Sequence, residues 1–211
     1  MTTNAPAIDP VALFGQMDIY ILDQVLRGRI APGMRLLDAG AGSGRNLAFF
    51  LGQGYDVQAF EPNAGAVAAL RALAARLAPR LPAANFRQET AESNTFPDHA
   101  AQVVISSAVL HFARDEAHFT AMLHGTWRLV SPGGLLFCRL ASTIGMEGRF
   151  TPLGGRRFLL PGGADWFLVD EAYLLDLTAR LGAQLLDPIK TTVVQGQRCM
   201  TTWVLRNTNP F

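Results

Sequence analysis

The run Asp38-Ala39-Gly40-Ala41-Gly42-Ser43-Gly44 places a carboxylate before three glycines at alternate positions. Glycines that follow a buried strand and open a helix let the chain turn sharply and approach a ligand without Cβ atoms in the way, which suits a nucleotide-like cofactor; the alternative is a plain strand-to-helix turn. Glu61 closes the next apolar run. Its carboxylate therefore comes to the same sheet edge, able to accept hydrogen bonds from two ribose hydroxyls; the alternative is a solvated charge before Pro62. Arg45 stands where the dinucleotide fingerprint G-x-G-x-x-G/A needs a small residue, so the turn departs from that fingerprint. His111 is the candidate general base if the acceptor must lose a proton, because an imidazole of ordinary pKa near ~6.5 titrates at neutral pH; the alternative is a pocket wall. His99, His118 and His124 lack paired ligand spacing, and Cys138 and Cys199 form neither a zinc pattern nor a disulfide framework, so no metal is expected.

The elements that must position these groups alternate regularly. Apolar residues at helical spacing run over 19–30 until Ala31-Pro32-Gly33 stops them, and a strand follows at 34–38. A helix over 43–51, the break Gly52-Gln53-Gly54 and a strand at 56–60 complete a βαβ unit. Asn63 caps a helix reaching Leu77; strands at 85–88 and 102–106 flank a polar surface loop at 89–99. A helix over 115–130, a turn at 131–134 and a strand at 135–140 extend the alternation, which implies a parallel sheet with helices on both faces. After Ala141 about two dozen Gly-, Pro- and Arg-rich residues carry no periodicity, the mark of a lid-like loop. A helix at 170–181 and β-like stretches at 184–194 and 198–206, joined by Gln195-Gly196-Gln197, end the chain in an antiparallel hairpin.

A chain of 211 residues with 49% hydrophobic and 17% charged residues builds one core and excludes extended disorder. The net charge of +1 provides no global field for nucleic acid or an anionic membrane. Residues 1–10 lack a basic patch followed by an apolar stretch, and no uncharged run approaches a membrane span, so a cytoplasmic protein is expected. Oligomeric state is not legible.

The segment Leu36-Leu37-Asp38-Ala39-Gly40-Ala41-Gly42-Ser43-Gly44 resembles the first motif of class I S-adenosylmethionine-dependent methyltransferases. Phe60-Glu61-Pro62-Asn63 is similar to their acidic second motif, 103–112 to the fourth, and 127–134 to the segment before strand five. The resemblance implies an α/β, Rossmann-like fold with a seven-stranded sheet of order 3-2-1-4-5-7-6, strand 7 antiparallel. It also implies one domain: a cap at 1–32, a cofactor core at 33–140, a substrate-side insertion or lid at 141–169, and a helix with hairpin at 170–211.

By the same resemblance Asp38 and the glycine turn, with Gly40, Gly42, Ser43 and Gly44, meet the methionine part of S-adenosylmethionine, Glu61 the ribose, and Asn63 or neighbouring apolar atoms the adenine edge; Asn46, Pro62, Thr90, Ala91 and Glu92 are further cofactor-binding candidates, with a solvated loop charge the alternative for Glu92. Thr90 occupies the place where many relatives carry an aspartate. Ser106, Ser107 and His111 line the approach to the methyl group. Arg149, Arg156 and Arg157 are candidates to receive an anionic substrate, and Tyr20, Phe150, Trp166 and Tyr173 for an aromatic lid; solvation and ordinary packing are the alternatives. The Gly44-Arg45-Asn46 continuation is similar to the tellurite-resistance type. The implied activity is methyl transfer to a small-molecule acceptor, releasing S-adenosylhomocysteine. A nicotinamide-dependent oxidoreductase and a non-catalytic binding module on the same sheet are the competing readings.

Overall fold

The computed structural model describes residues 9–209. The reading of residues 1–10 falls mostly, and the 1–32 cap partly, outside them. In chain order the elements are α1 (Pro10–Phe14), α2 (Ile19–Leu26), β1 (Arg35–Ala39), α3 (Ala48–Gly52), β2 (Asp56–Phe60), α4 (Ala64–Leu77), β3 (Phe86–Arg87), β4 (Ala101–Ser107), α5 (Glu116–Trp127) and β5 (Val130–Ser142). Then come β6 (Thr151–Gly154), β7 (Arg157–Leu159), β8 (Asp165–Phe167), α6 (Glu171–Arg180), β9 (Ala183–Leu185), β10 (Lys190–Val194) and β11 (Arg198–Asn207).

Successive strand residues face opposite sides of a sheet, and here both sides are apolar. Leu36, Val103, Ile105 and Phe137 turn to one side, covered by Ile21 of α2, Phe50 of α3 and Leu70 of α4. Their neighbours Leu37, Val104 and Leu136 turn to the other, covered by Phe119 and Leu123 of α5 and Leu174 and Leu177 of α6. The sheet runs β10-β11-β5-β4-β1-β2-β3. β1, β2, β3, β4 and β5 pair in parallel, and β11 lies antiparallel between β5 and β10. With β11 as strand 7 and β10 as strand 6, this is the expected order.

Several boundaries differ from expectation. The helix foreseen over 43–51 begins only at Ala48, because 45–47 close a turn in which Leu47 N–H donates to Gly44 O at 2.9 Å. The turn foreseen at 131–134 belongs to β5, accommodated by a register shift against β4. The stretch at 184–194 splits into β9 and β10, with Pro188 in the gap; β9 joins the far end of β11 and gives the sheet an eighth strand.

The insertion is also not an aperiodic loop. It folds as an antiparallel sheet, β6-β7-β8, and buries Met146, Phe150, Leu160 and Leu168 against Ala141 and Met200 of the main sheet. Strands of three or four residues, one of them exposed at every position, are too short to display an alternating pattern. Among the described residues no helix is long and apolar enough to cross a membrane.

Candidate active site

The carboxyl ends of the parallel strands gather the residues that can do chemistry, as open α/β sheets generally arrange. The glycine turn is fastened to β2, where Phe60 O accepts the N–H groups of Gly40 (2.9 Å) and Ala41 (3.1 Å). Gly40 has φ +81, and a Cβ there would meet Val109 Cγ2 at 2.5 Å; only glycine lets β1 exit this close to the segment after β4. Gly44 serves packing, since a Cβ there would meet Leu70 and Leu73 of α4. Ser43 is exposed.

Glu61 closes the opposite wall. One carboxylate oxygen accepts Gly42 N–H and the other Asn63 N–H, each at 3.0 Å. A carboxylate offers about four acceptor sites, so each oxygen keeps one for a diol. Asn63 itself caps α4, its Oδ1 accepting Ala66 N–H at 2.9 Å.

Asp38 is fully buried, and both of its carboxylate oxygens lack a hydrogen-bond partner. Loss of solvation raises its pKa to about 7, opposed by Arg45 and reinforced by Glu61. An orphaned carboxylate beside the turn calls for a ligand that brings donors or positive charge. S-adenosylmethionine, with its sulfonium, ammonium and ribose diol, fits these residues. A pyrophosphate does not, because it would face Asp38 and Glu61 without a helix N-terminus at the turn.

Between these walls lies a cleft of about 270 Å³. It brings together Gly40, Glu61, Pro62, Thr90, Ala91 and Glu92 of the foreseen residues, with Phe60, Ala108, Val109, Phe112, His118 and Met122, which the sequence reading did not assign to it. The 89–99 stretch is a pinned wall. Asn94 Nδ2 donates to Ala91 O (2.9 Å) and Gly125 O (3.0 Å), and Arg128 donates to Asn94 O and Phe96 O, both at 2.6 Å. A Cβ on Gly125 would lie 2.0 Å from Ala91 O, so this glycine in α5 is what admits the wall.

Towards the ends of β4 and β5, Asn46 Oδ1 accepts Asp18 N–H at 3.0 Å. The buried Asp18 carboxylate accepts Arg139 Nη1 at 2.6 Å. Arg45 Nη2 reaches Ser107 Oγ at 3.4 Å. Asn46 thus holds the cap at the start of α2 to the glycine turn. Tyr20 bonds Thr192 through its hydroxyl (2.9 Å), with the Arg139 guanidinium 5.2 Å from its ring. Ser106 is buried on the Cys138 side of β4, and burial pushes that thiol up to about 12, which leaves it protonated and inert.

His111 departs from the role of base. Its Nδ1 accepts Ala141 N–H at 3.2 Å, which occupies the lone pair a neutral imidazole would use, and burial lowers its pKa to about 4. Its ring packs on Trp166 and Phe112, with centroids 4.5 and 4.6 Å away, so it forms a wall between insertion and sheet.

The arginines foreseen for an anion are mostly engaged. Arg156 pairs with Asp170 (2.7 Å) and covers the Tyr173 ring, while Arg157 pairs with Asp165 and donates to Ala113 O (3.1 Å). Arg149 is exposed. Tyr173 packs on Phe119 in the core and Phe150 on Phe158 beneath the insertion, so neither belongs to an aromatic lid. The aspartates that pair these arginines lie eight and fourteen residues along, a local charge pattern that was legible. The cleft role of His118 was not, since its partner Glu92 lies 26 residues away.

The family described as "Methyltransferase domain" matches residues 37–138. Its glycine turn, Glu61 and cleft wall all fall within that span. Over those residues the chain is similar to a methyltransferase domain. No curated protein matches the chain in sequence. Among solved structures, a Methanosarcina mazei S-adenosylmethionine-dependent methyltransferase is 18% identical with TM-score 0.70, over 87% of this chain and 96% of that one. A Pyrococcus horikoshii protein is 16% identical with TM-score 0.68, over 90% and 89%. The Burkholderia thailandensis 1,6-didemethyltoxoflavin-N1-methyltransferase, solved with that substrate and S-adenosylhomocysteine, is 18% identical with TM-score 0.65, over 98% and 93%. At such identity the likeness is one of fold.

Proposed function

We propose that this methyltransferase moves the methyl group of S-adenosylmethionine to a small-molecule acceptor by in-line displacement. The observation that carries the reading is the orphaned, buried Asp38 carboxylate behind the Glu61-braced turn, whose Gly40 and Glu61 line a cleft of small-molecule size. When bound, the cofactor supplies an already activated methyl group. The chain's own residues need only bind, orient and exclude water, and orientation alone is worth about 7–11 kcal/mol.

Asp38 faces the cationic methionine end, Glu61 accepts from the ribose, and Phe60, Pro62, Ala91 and Met122 provide apolar walls for the base. Trp166 and His111 close the acceptor side, and the Asp18–Arg139 pair keeps the start of α2 over β5. His111 acts as a wall, so an acceptor that must lose a proton gives it to solvent or loses it before binding.

The experiment is a radiolabelled methyl-transfer screen over thiols, amines, carboxylic acids, phenols and chalcogen oxyanions. The last class is kept for the likeness to the tellurite-resistance type, and the amines for the N1-methyltransferase activity named for the Burkholderia thailandensis protein. Turnover of one class supports the proposal. Turnover of none, with S-adenosylhomocysteine still bound, favours a binding module.

A further inference from the structure

The face of the sheet that α2 covers is apolar at Ile105 of β4, Phe137 of β5 and Val204 of β11, and it turns polar one step further towards the carboxyl end of β5. There Ser107, Arg139, Thr202 and Lys190 are register partners across β4, β5, β11 and β10. Partners on neighbouring strands carry their side chains on the same face, about 5 Å apart, so four hydrogen-bond donors stand in one row. The middle of the row is not matched by acceptors. Arg139 Nε and the Thr202 hydroxyl are both buried without a hydrogen-bond partner.

Two acids pair with the row. Asp23 lies 3.8 Å from Lys190 Nζ, and Asp18 accepts Arg139 Nη1 at 2.6 Å while Asn46 holds the Asp18 N–H. Pairing through Nη1 fixes the guanidinium by its end and leaves its side edge, Nε with Nη2, which is an edge that takes a carboxylate bidentately. Tyr20 roofs the row, its ring 5.2 Å from the guanidinium carbon and its hydroxyl 2.9 Å from Thr192 Oγ1. The Arg139 side chain still keeps 21% exposure, a way in from solvent. The row also adjoins the cofactor cleft, because Ala108, which follows Ser107, lines that cleft and donates its N–H to Arg139 O at 2.8 Å.

We infer that Arg139 and Thr202 bind a carboxylate group of the methyl acceptor, Arg139 through the side edge of its guanidinium and Thr202 through its hydroxyl, with Asp18 as the positioning residue. The inference deepens the methyl-transfer reading and rests on it. A carboxylate only accepts hydrogen bonds, which is what a row of orphaned donors lacks. The glycine turn and Glu61 that face the cofactor follow β1 and β2, whereas the row runs the other way from β4, over β5, β11 and β10. The carboxylate therefore belongs to the second substrate, as the handle by which the acceptor is held beside the cleft.

The test is calorimetry on protein saturated with S-adenosylhomocysteine, titrated with a panel of aliphatic and aromatic carboxylic acids and, in parallel, with the primary amide of each. At least one acid is expected to bind the wild type about tenfold or more tighter than its amide, the scale of charge-assisted hydrogen bonds. T202V keeps the side chain's shape and should lower that ratio about threefold. R139M combined with D18N, which leaves neither member of the buried pair alone, should abolish it. The ratio is independent of the folded fraction, so a merely structural role would leave it unmoved. A wild type that prefers none of the acids, or a ratio unchanged in either variant, overturns the inference alone. A fall in S-adenosylhomocysteine binding as large as the fall in acid binding also overturns it, by assigning the row to the cofactor. A wild type that does not bind S-adenosylhomocysteine overturns the methyl-transfer reading together with it.

Discussion

Replacing Asp38 with Asn keeps the side chain's shape and removes its charge. Burial raises the folded-state pKa from 3.8 to about 7, and each tenfold change in proton affinity corresponds to about 1.4 kcal/mol. A carboxyl whose folded pKa is raised contributes its full stability below the unfolded pKa and loses it as pH rises through the folded one. The D38N protein escapes that loss. Between pH 5 and pH 8 its stability relative to wild type should therefore grow by about 3 kcal/mol, read from urea denaturation at both pH values.

His111 works in the opposite sense over nearly the same window. Its folded pKa is lowered to about 4, so its contribution is full above its ordinary pKa and fades as pH falls towards 4. The wild-type profile is thus flatter than either group alone would make it, and the difference between variants isolates Asp38. Binding supplies a second readout. A cationic ligand drives Asp38 to its charged form, so calorimetry near pH 7 in buffers of different ionisation enthalpy should show release of about half a proton by wild type and none by D38N. A stability difference that stays flat with pH, or equal proton release by both proteins, would refute the reasoning.

Three further outcomes follow from the geometry. G125A places a methyl group against Ala91 O and should cost about 2–3 kcal/mol, lowering the melting temperature and weakening S-adenosylhomocysteine binding together. R139M strands the buried Asp18 carboxylate and should cost about 3–5 kcal/mol in urea denaturation, most of it recovered by adding D18N. H111Q should leave any neutral-pH limb of the activity profile in place, because His111 stays uncharged there; disappearance of that limb would restore His111 as a base.

The parallel core was readable because strands buried on both faces are continuous apolar runs punctuated by Gly and Pro, and the terminal hairpin because Gln195-Gly196-Gln197 separates two β-rich stretches. Asp38 and Glu61 were readable because each ends such a run. What escaped depends on contacts distant in sequence. Asn94 and Arg128, 34 residues apart, turn a polar stretch into a cleft wall, and Glu92 meets His118 only because α5 packs there. His111 was singled out by its chemistry, whereas its lone pair is taken by the backbone of β5, which no spacing reveals. The insertion escaped for want of length, since its strands are too short to carry a period.

The central claim is that the glycine turn and Glu61 hold S-adenosylmethionine, and titration calorimetry tests it directly with S-adenosylhomocysteine and NAD on the wild type and E61A. Saturable binding of S-adenosylhomocysteine to wild type, weakened by about 1–3 kcal/mol in E61A, with no NAD binding, is the predicted result. Binding of NAD without S-adenosylhomocysteine, or an affinity unmoved by E61A, would contradict it.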